Sequence, residues 1–139
     1  MPHFLDTNIL LYSISQNPAE TRQRDRAIRL LEDDEGALSI QVLQEFYVQA
    51  TRASRPDAIA HEVAAGLIES WTRFQIQDMT LPVLNEALRI SKRYRLSFWD
   101  STIIAAARAI GCDRLFTEDL NHGQKVEGIT ILNPFRARR

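Results

Sequence analysis

Cysteine is almost missing from this chain: 139 residues contain one, Cys112. A lone thiol closes no internal disulfide, so packing must hold the fold, and a reducing cytoplasm is the expected setting. Other soft-metal ligands are as sparse. Three histidines, His3, His61 and His122, lie far apart, which argues against a zinc centre. No apolar run approaches the roughly 20 residues that a membrane span needs. The opening MPHFLD has neither the basic start nor the long apolar core of a leader, so neither a signal peptide nor a membrane partner is expected. Lysine is scarce as well, 2 against 15 arginines. The net charge of −1 gives no general pull toward nucleic acid. Arginine forks do suit carboxylate and phosphate, yet most of these arginines are expected to be ordinary surface charge. Repeats, linkers and low-complexity stretches are absent. With 45% hydrophobic residues, the chain reads as one globular domain over residues 1–139.

What is present alternates. Residues 3–5 read as a short strand and 7–15 as a helix, with a turn at 16–18. Residues 20–33 form a charged amphipathic helix with Ala27, Ile28, Leu30 and Leu31 on its apolar face. A strand at 37–39 and a helix at 40–53 follow. Pro56–Asp57 is expected to open the next helix, with Asp57 as N-cap and Ile59, Val63, Leu67 and Trp71 at helical spacing. A strand at 74–76 comes next, then a helix capped by Thr80 and running to about Tyr94. Another helix, capped by Ser97, stops at Gly111. Strands at 115–117 and 129–132 complete the reading. Short strands alternating with longer helices predict an α/β fold, a three-layer α/β/α sandwich around a mostly parallel sheet. Ligands of such sheets sit at the carboxyl ends of the strands.

Four acids fall in or near such positions. Asp6, in HFLDTNILLY, directly follows the first strand; it suits either a helix cap or a site. Glu45, in SIQVLQEFYVQA, lies in the second turn of the helix after the second strand, where a solvated role is the plain alternative. Asp100, in RLSFWDSTIIAAARAIG, stands three residues after Ser97, close to a capping box. Its helix is apolar all round, which predicts burial and a desolvated carboxylate needing a partner. Asp119, in RLFTEDLNHG, follows Thr117 by two residues, so an extended backbone would point both side chains the same way. Adjacent Glu118 competes with it on charge; Asp119 is preferred. Hard divalent ions take oxygen ligands, and Mg²⁺ needs only a few carboxylates plus water.

Together HFLDTNILLY, QVLQEF, LSFWDSTIIAAA and LFTEDLNHG, in this order, resemble the PIN domain family, and more narrowly the VapC-type toxins of bacterial toxin–antitoxin pairs. The likeness spans essentially the whole chain. It implies a compact α/β/α sandwich with Mg²⁺- or Mn²⁺-dependent endoribonuclease activity. It maps the acidic residues onto Asp6, Glu45, Asp100 and Asp119, and supporting polar positions onto Asn8 and Thr117. It also implies an RNA substrate, a small antitoxin partner and a homodimer. In that scheme Asp6 and Asp100 are expected metal ligands. Asp119 is a ligand directly or through water. Glu45 is a ligand through water or the base that orients the attacking water.

Other acidic-site enzymes fit less well. Haloacid-dehalogenase phosphatases want a second aspartate where Asn8 stands, and a lysine where only Lys92 and Lys125 are on offer. Response-regulator receivers need an acidic pair after the first strand, whereas Asp33 and Asp34 end an exposed helix. A non-catalytic RNA- or partner-binding module remains the other class, but it would gain nothing from four mutually repelling acids. Phosphate contact is expected from Arg52 and Arg55, from Arg89, Arg93 and Arg95, or from a basic tail of Arg136, Arg138 and Arg139. The helices at 20–33 and 59–71 are candidates for dimer or antitoxin contact.

Overall fold

The tripeptide HFL becomes a strand because all three of its residues are covered by other parts of the chain. The structure, a computed structural model, describes residues 1–136. Strand β1 (His3–Leu5) leads into α1 (Thr7–Ser13), a 3-10 turn (Pro18–Glu20) and α2 (Thr21–Glu32). Then come β2 (Gly36–Ser39), α3 (Ile40–Ala50), α4 (His61–Trp71), β3 (Gln75–Gln77) and α5 (Leu81–Tyr94). The chain finishes with α6 (Phe98–Ala109), β4 (Arg114–Phe116), β5 (Lys125–Val126) and β6 (Ile129–Leu132).

Among the described residues the strands form one sheet in the order β3-β2-β1-β4-β6-β5. Every pair is parallel except β5 with β6. This is the three-layer α/β/α sandwich expected from the alternation. Helix α6 lies over the sheet with α5 beside it, and α1 packs on α2 and α3. The strand order reverses at β1, whose neighbours are β2 and β4, so the carboxyl ends of β1 and β4 frame the crevice. No helix of the described residues is long and apolar enough to cross a membrane.

Several boundaries differ from the sequence reading, each for a local reason. Helix α1 stops at Ser13, because the amides of Ile14 and Ser15 turn back to the Leu11 and Tyr12 carbonyls. Helix α3 ends at Ala50, not at residue 53. Asp57 is not the cap of α4, which begins at His61 with Ala60 before it and no side-chain cap. The Asp57 carboxylate instead accepts from Gln16 N at 3.1 Å and Arg55 Nε at 2.8 Å, pinning the loop to the end of α1. The strand expected at 74–76 is shifted one residue on, to Gln75–Gln77, and the Phe74 ring lies close to Gly36 of β2. A Cβ at Gly36 would stand 3.0 Å from the Phe74 ring, so any larger residue there would have to push the ring back by a few tenths of an ångström. Strand β5 escapes the sequence reading altogether. Its hairpin turn puts both Glu127 (φ 52°) and Gly128 (φ 83°) in left-handed conformation, and glutamate is a poor signal for such a turn. Arg89 at 2.9 Å and Arg93 at 3.3 Å hold the Glu127 carboxylate and anchor it.

His3 sits in the core edge-on to Phe116, with ring centroids 5.3 Å apart. Neither ring nitrogen has a hydrogen-bond partner among the described residues. Burial therefore pushes its pKa below the ordinary 6.5. The unfolded chain takes up a proton that the folded chain refuses, so stability falls as pH drops through about 6.5. His3→Leu removes this liability. Urea denaturation at about pH 5.5 and about pH 8 should show the variant more stable by roughly 1 kcal/mol at the higher pH and by more at the lower. An equal change at both values would show that His3 charges freely in place.

Candidate active site

Asp6 leaves β1 at its carboxyl end and caps α1. Its Oδ1 accepts from Thr7 N at 2.7 Å, and its Oδ2 accepts from the Thr117 hydroxyl at 2.9 Å. The carboxylate is only 6% exposed. Burial pushes its pKa up from 3.8 to about 6; the two hydrogen bonds pull the other way, and the charges of Asp119 and Glu45 add to the rise. Cap and site are thus the same carboxylate.

Thr117, fully buried just past β4, uses its whole hydroxyl. Besides donating to Asp6 it accepts from Asn8 Nδ2 at 3.2 Å and from Asp119 N at 3.1 Å. Asn8, in the first turn of α1, also donates to Asp119 Oδ2 at 3.1 Å. The backbone at Asp119 is not extended, as the sequence reading supposed. It bends so that its own amide bonds the Thr117 hydroxyl, and Asn8 bridges the two side chains. Adjacent Glu118 accepts from the Tyr12 hydroxyl at 2.9 Å and takes no part in this network.

Glu45 joins from α3. Its Oε2 accepts from the Thr7 hydroxyl at 2.7 Å and its Oε1 from Gln41 Nε2 at 2.8 Å. The Gln41 carbonyl in turn accepts from the Thr102 hydroxyl on α6. Thr7, Gln41 and Thr102 were not singled out from sequence. Gln41 carried a usable signal, since it stands four residues before Glu45 on one helix face. Thr102 carried none, because its partner is on another element.

Asp100 departs from expectation. Helix α6 is buried from Ser101 to Ala107, but its first turn is not: Trp99 is 64% exposed and Asp100 only half-buried. Asp100 N bonds the Ser97 hydroxyl oxygen at 3.1 Å, half of a capping box. Among the described residues no hydrogen bond ties its carboxylate to Asp6, Glu45 or Asp119. The desolvated acid is Asp6.

No three acids or soft ligands stand together in metal-holding geometry among the described residues. The donors nevertheless suit a hydrated hard cation, which often uses one or two carboxylates and fills its shell with water. Asp6 and Asp119 offer oxygen only. Beside them Asn8 Oδ1 is buried without a donor, because its amide nitrogen must face Asp119. Among the described residues none of the four acids is ion-paired to lysine, arginine or histidine.

Residues 3–126 match the profile of the PIN domain. The chain belongs to the PIN domain family. No protein of curated function matches the sequence. Solved PIN-fold neighbours include a toxin–antitoxin complex from Klebsiella pneumoniae, with a TM-score of 0.72 and 19% identity over 97% of this chain and 99% of that one. VapC20 from Mycobacterium tuberculosis, a toxin that cleaves the sarcin–ricin loop, gives 0.64 and 24% over 84% and 91%. VapBC2 from Rickettsia felis, bound to a fragment of its promoter DNA, gives 0.64 and 19% over 94% and 97%. At these identities the likeness is one of fold.

The arginines expected to meet phosphate are partly committed within this PIN domain. Arg55 pairs with Asp57, while Arg89 and Arg93 hold Glu127. Arg52 and Arg95 are exposed, and Arg138 and Arg139 lie outside the described residues. The two helices expected to meet a partner turn apolar side chains inward: Ala27, Leu30 and Leu31 of α2, and Ala64 and Trp71 of α4, are buried.

The Asp6 shift sets a stability test. A folded pKa above the unfolded one means that the folded chain holds the extra proton between about 4 and 6. The cost of ionising Asp6 is absent below that window and complete above it, on the order of 3 kcal/mol for a shift of this size. Asp6→Asn keeps the shape and loses the charge, although its amide must compete for the Thr117 hydroxyl. In EDTA at about pH 7.5 the variant should be more stable by roughly 1 to 2 kcal/mol, and the advantage should vanish near pH 4. A loss of stability at both pH values would make Asp6 a structural cap alone.

Proposed function

We propose that this PIN protein is a metal-dependent endoribonuclease that hydrolyses RNA phosphodiester bonds, and that it is the toxin of a toxin–antitoxin pair. One observation carries the reading. Asp6 is buried within the fields of Asp119 and Glu45, yet neutral donors (Thr7, Asn8, Thr117) hold the group rather than arginine or lysine. A carboxylate kept only for structure would be paired with a cation. Leaving this one unpaired reserves its charge for something that binds.

Asp6 and Asp119 would hold a Mg²⁺ or Mn²⁺ ion, with Asp100 the further ligand suggested by its F-W-D motif. When bound, such an ion supplies charge relief on the phosphoryl oxygens and lowers the pKa of water. The chain's own residues do the rest. Thr7 and Gln41 fix both oxygens of Glu45, so it can orient an attacking water and take its proton. Asn8 and Thr117 keep Asp6 and Asp119 in register without adding charge. The M. tuberculosis toxin's cleavage of the sarcin–ricin loop supports RNA as the substrate class. The toxin–antitoxin neighbours support an antitoxin partner, and the family resemblance supports a homodimer.

Purified protein freed of any partner should cut RNA with Mg²⁺ or Mn²⁺ and stop with EDTA. Asp119→Asn and Asp6→Asn should each lose at least about 100-fold in rate, and Asn8→Ala about 10- to 100-fold. Glu118→Gln should stay within about threefold of wild type, since its partner Tyr12 lies outside the network. Gel analysis of a labelled RNA measures all of these. EDTA-resistant cleavage would remove the metal mechanism, and a dead Glu118→Gln with an active Asp119→Asn would reverse the choice between neighbours.

Expression of the protein alone should slow bacterial growth, and co-expression of the small open reading frame beside its gene should restore it. Normal growth with abundant soluble protein would favour a PIN-fold binding module.

A further inference from the structure

One feature of α2 finds no use in the chemistry above. Arg22, Arg26 and Arg29 recur at intervals of four and three residues, so they form one stripe along the helix. The stripe borders a groove of about 810 Å³ that His122, Phe135 and Arg136 also line. No carboxylate lines this groove among the described residues, although the chain carries 18 acidic residues. No ion pair to Arg22, Arg26 or Arg29 exists among the described residues either. Arg22 is steered by a hydrogen bond of 3.1 Å to the Arg136 carbonyl. His122 Nδ1 accepts from Asn133 N at 2.9 Å, which leaves the proton of the neutral ring on Nε2 as a donor.

We infer that this groove binds the sugar–phosphate backbone of a single-stranded RNA beside the bond to be cut. This rests on the nuclease reading for its purpose, but not for its test. Two observations favour a nucleic-acid strand. The helical rise spaces the three guanidinium stems over about 10 Å, a span that meets successive phosphates of an extended strand. Phe116 and Phe135 border the groove but are only 7% and 9% exposed, so what the groove offers a strand is contact with its backbone rather than base stacking. The groove also continues into the site. Phe116, at its edge, immediately precedes Thr117, whose hydroxyl holds Asp6.

The test is fluorescence anisotropy in EDTA, using the full chain and a labelled single-stranded RNA of about 12 mixed nucleotides across a salt series. The triple variant Arg22→Gln, Arg26→Gln, Arg29→Gln should bind at least about tenfold more weakly at moderate salt. Its slope of log affinity against log salt should be shallower by about 2, for three lost contacts to a single strand. The triple lysine variant should keep most of the slope, because a phosphate contact needs only the charge. Circular dichroism checks that both variants fold. Equal affinity and slope for wild type and the glutamine variant overturns the inference, and so does a wild type that binds no RNA. A glutamine variant that keeps RNA but loses a polyglutamate peptide of similar length assigns the groove to an acidic protein segment and also overturns it. The two readings fail separately: with Mg²⁺ present, absence of cleavage sinks the nuclease, while salt-dependent binding lost in the glutamine variant still upholds the groove.

Discussion

The hydrogen bond between the Thr117 hydroxyl and the Asp6 carboxylate joins the ends of the two central strands. A buried carboxylate is tolerable only if its oxygens are satisfied, and here the donors come from its own helix and from the strand beside it. That requires β1 and β4 to be parallel neighbours in one register, Leu5 opposite Phe116. The register brings Thr117 level with Asp6. Once the two are level, Asn8 on the first turn of α1 can reach both Thr117 and Asp119.

Glu45 reaches the same place by another route. Ser39 ends β2 and caps α3 through its hydroxyl, which fixes the direction of that helix. The Thr7 hydroxyl then meets Glu45 across α1 and α3. Through Gln41 and Thr102 the chain of bonds passes on to α6. Three helices far apart in the chain, α1, α3 and α6, are thus linked through one carboxylate. Neutral side chains do the locking, so the site keeps a surplus of negative charge that a structural network would have neutralised.

The positive charge lies elsewhere. Arg89, Arg93 and Arg108 gather around Glu86 and Glu127, where they stiffen α5, α6 and an unusual turn. The arginine stripe of α2 makes no ion pair among the described residues. A chain with almost no net charge thereby keeps an acidic centre and a basic helix face apart, and local geometry governs attraction where net charge does not.

The alternation of strands and helices, the caps Ser97 and Thr80 and the place of Asp6 at the end of the first strand were legible in the sequence, because each depends on local spacing and a parallel α/β sheet turns local spacing into position. Asn8 and Thr117 were indicated only by the family resemblance, and Asp119 reaches Thr117 through a bend and not through the extended backbone that its spacing suggested. Asp57 misled because a residue that can cap a helix can equally accept bonds from a distant loop. The expected burial of Asp100 fails because the apolar pattern of α6 does not show that its first turn, with Trp99 exposed and Phe98 and Asp100 half-buried, is left uncovered. The pairing of Thr7 with Glu45 and the relay through Gln41 and Thr102 were beyond reach, since each joins residues far apart in the chain. The groove beside α2 was hidden for the same reason: the spacing of its arginines is local, but that no acid among the described residues lines it with them is decided only by which distant side chains the fold brings to its other wall.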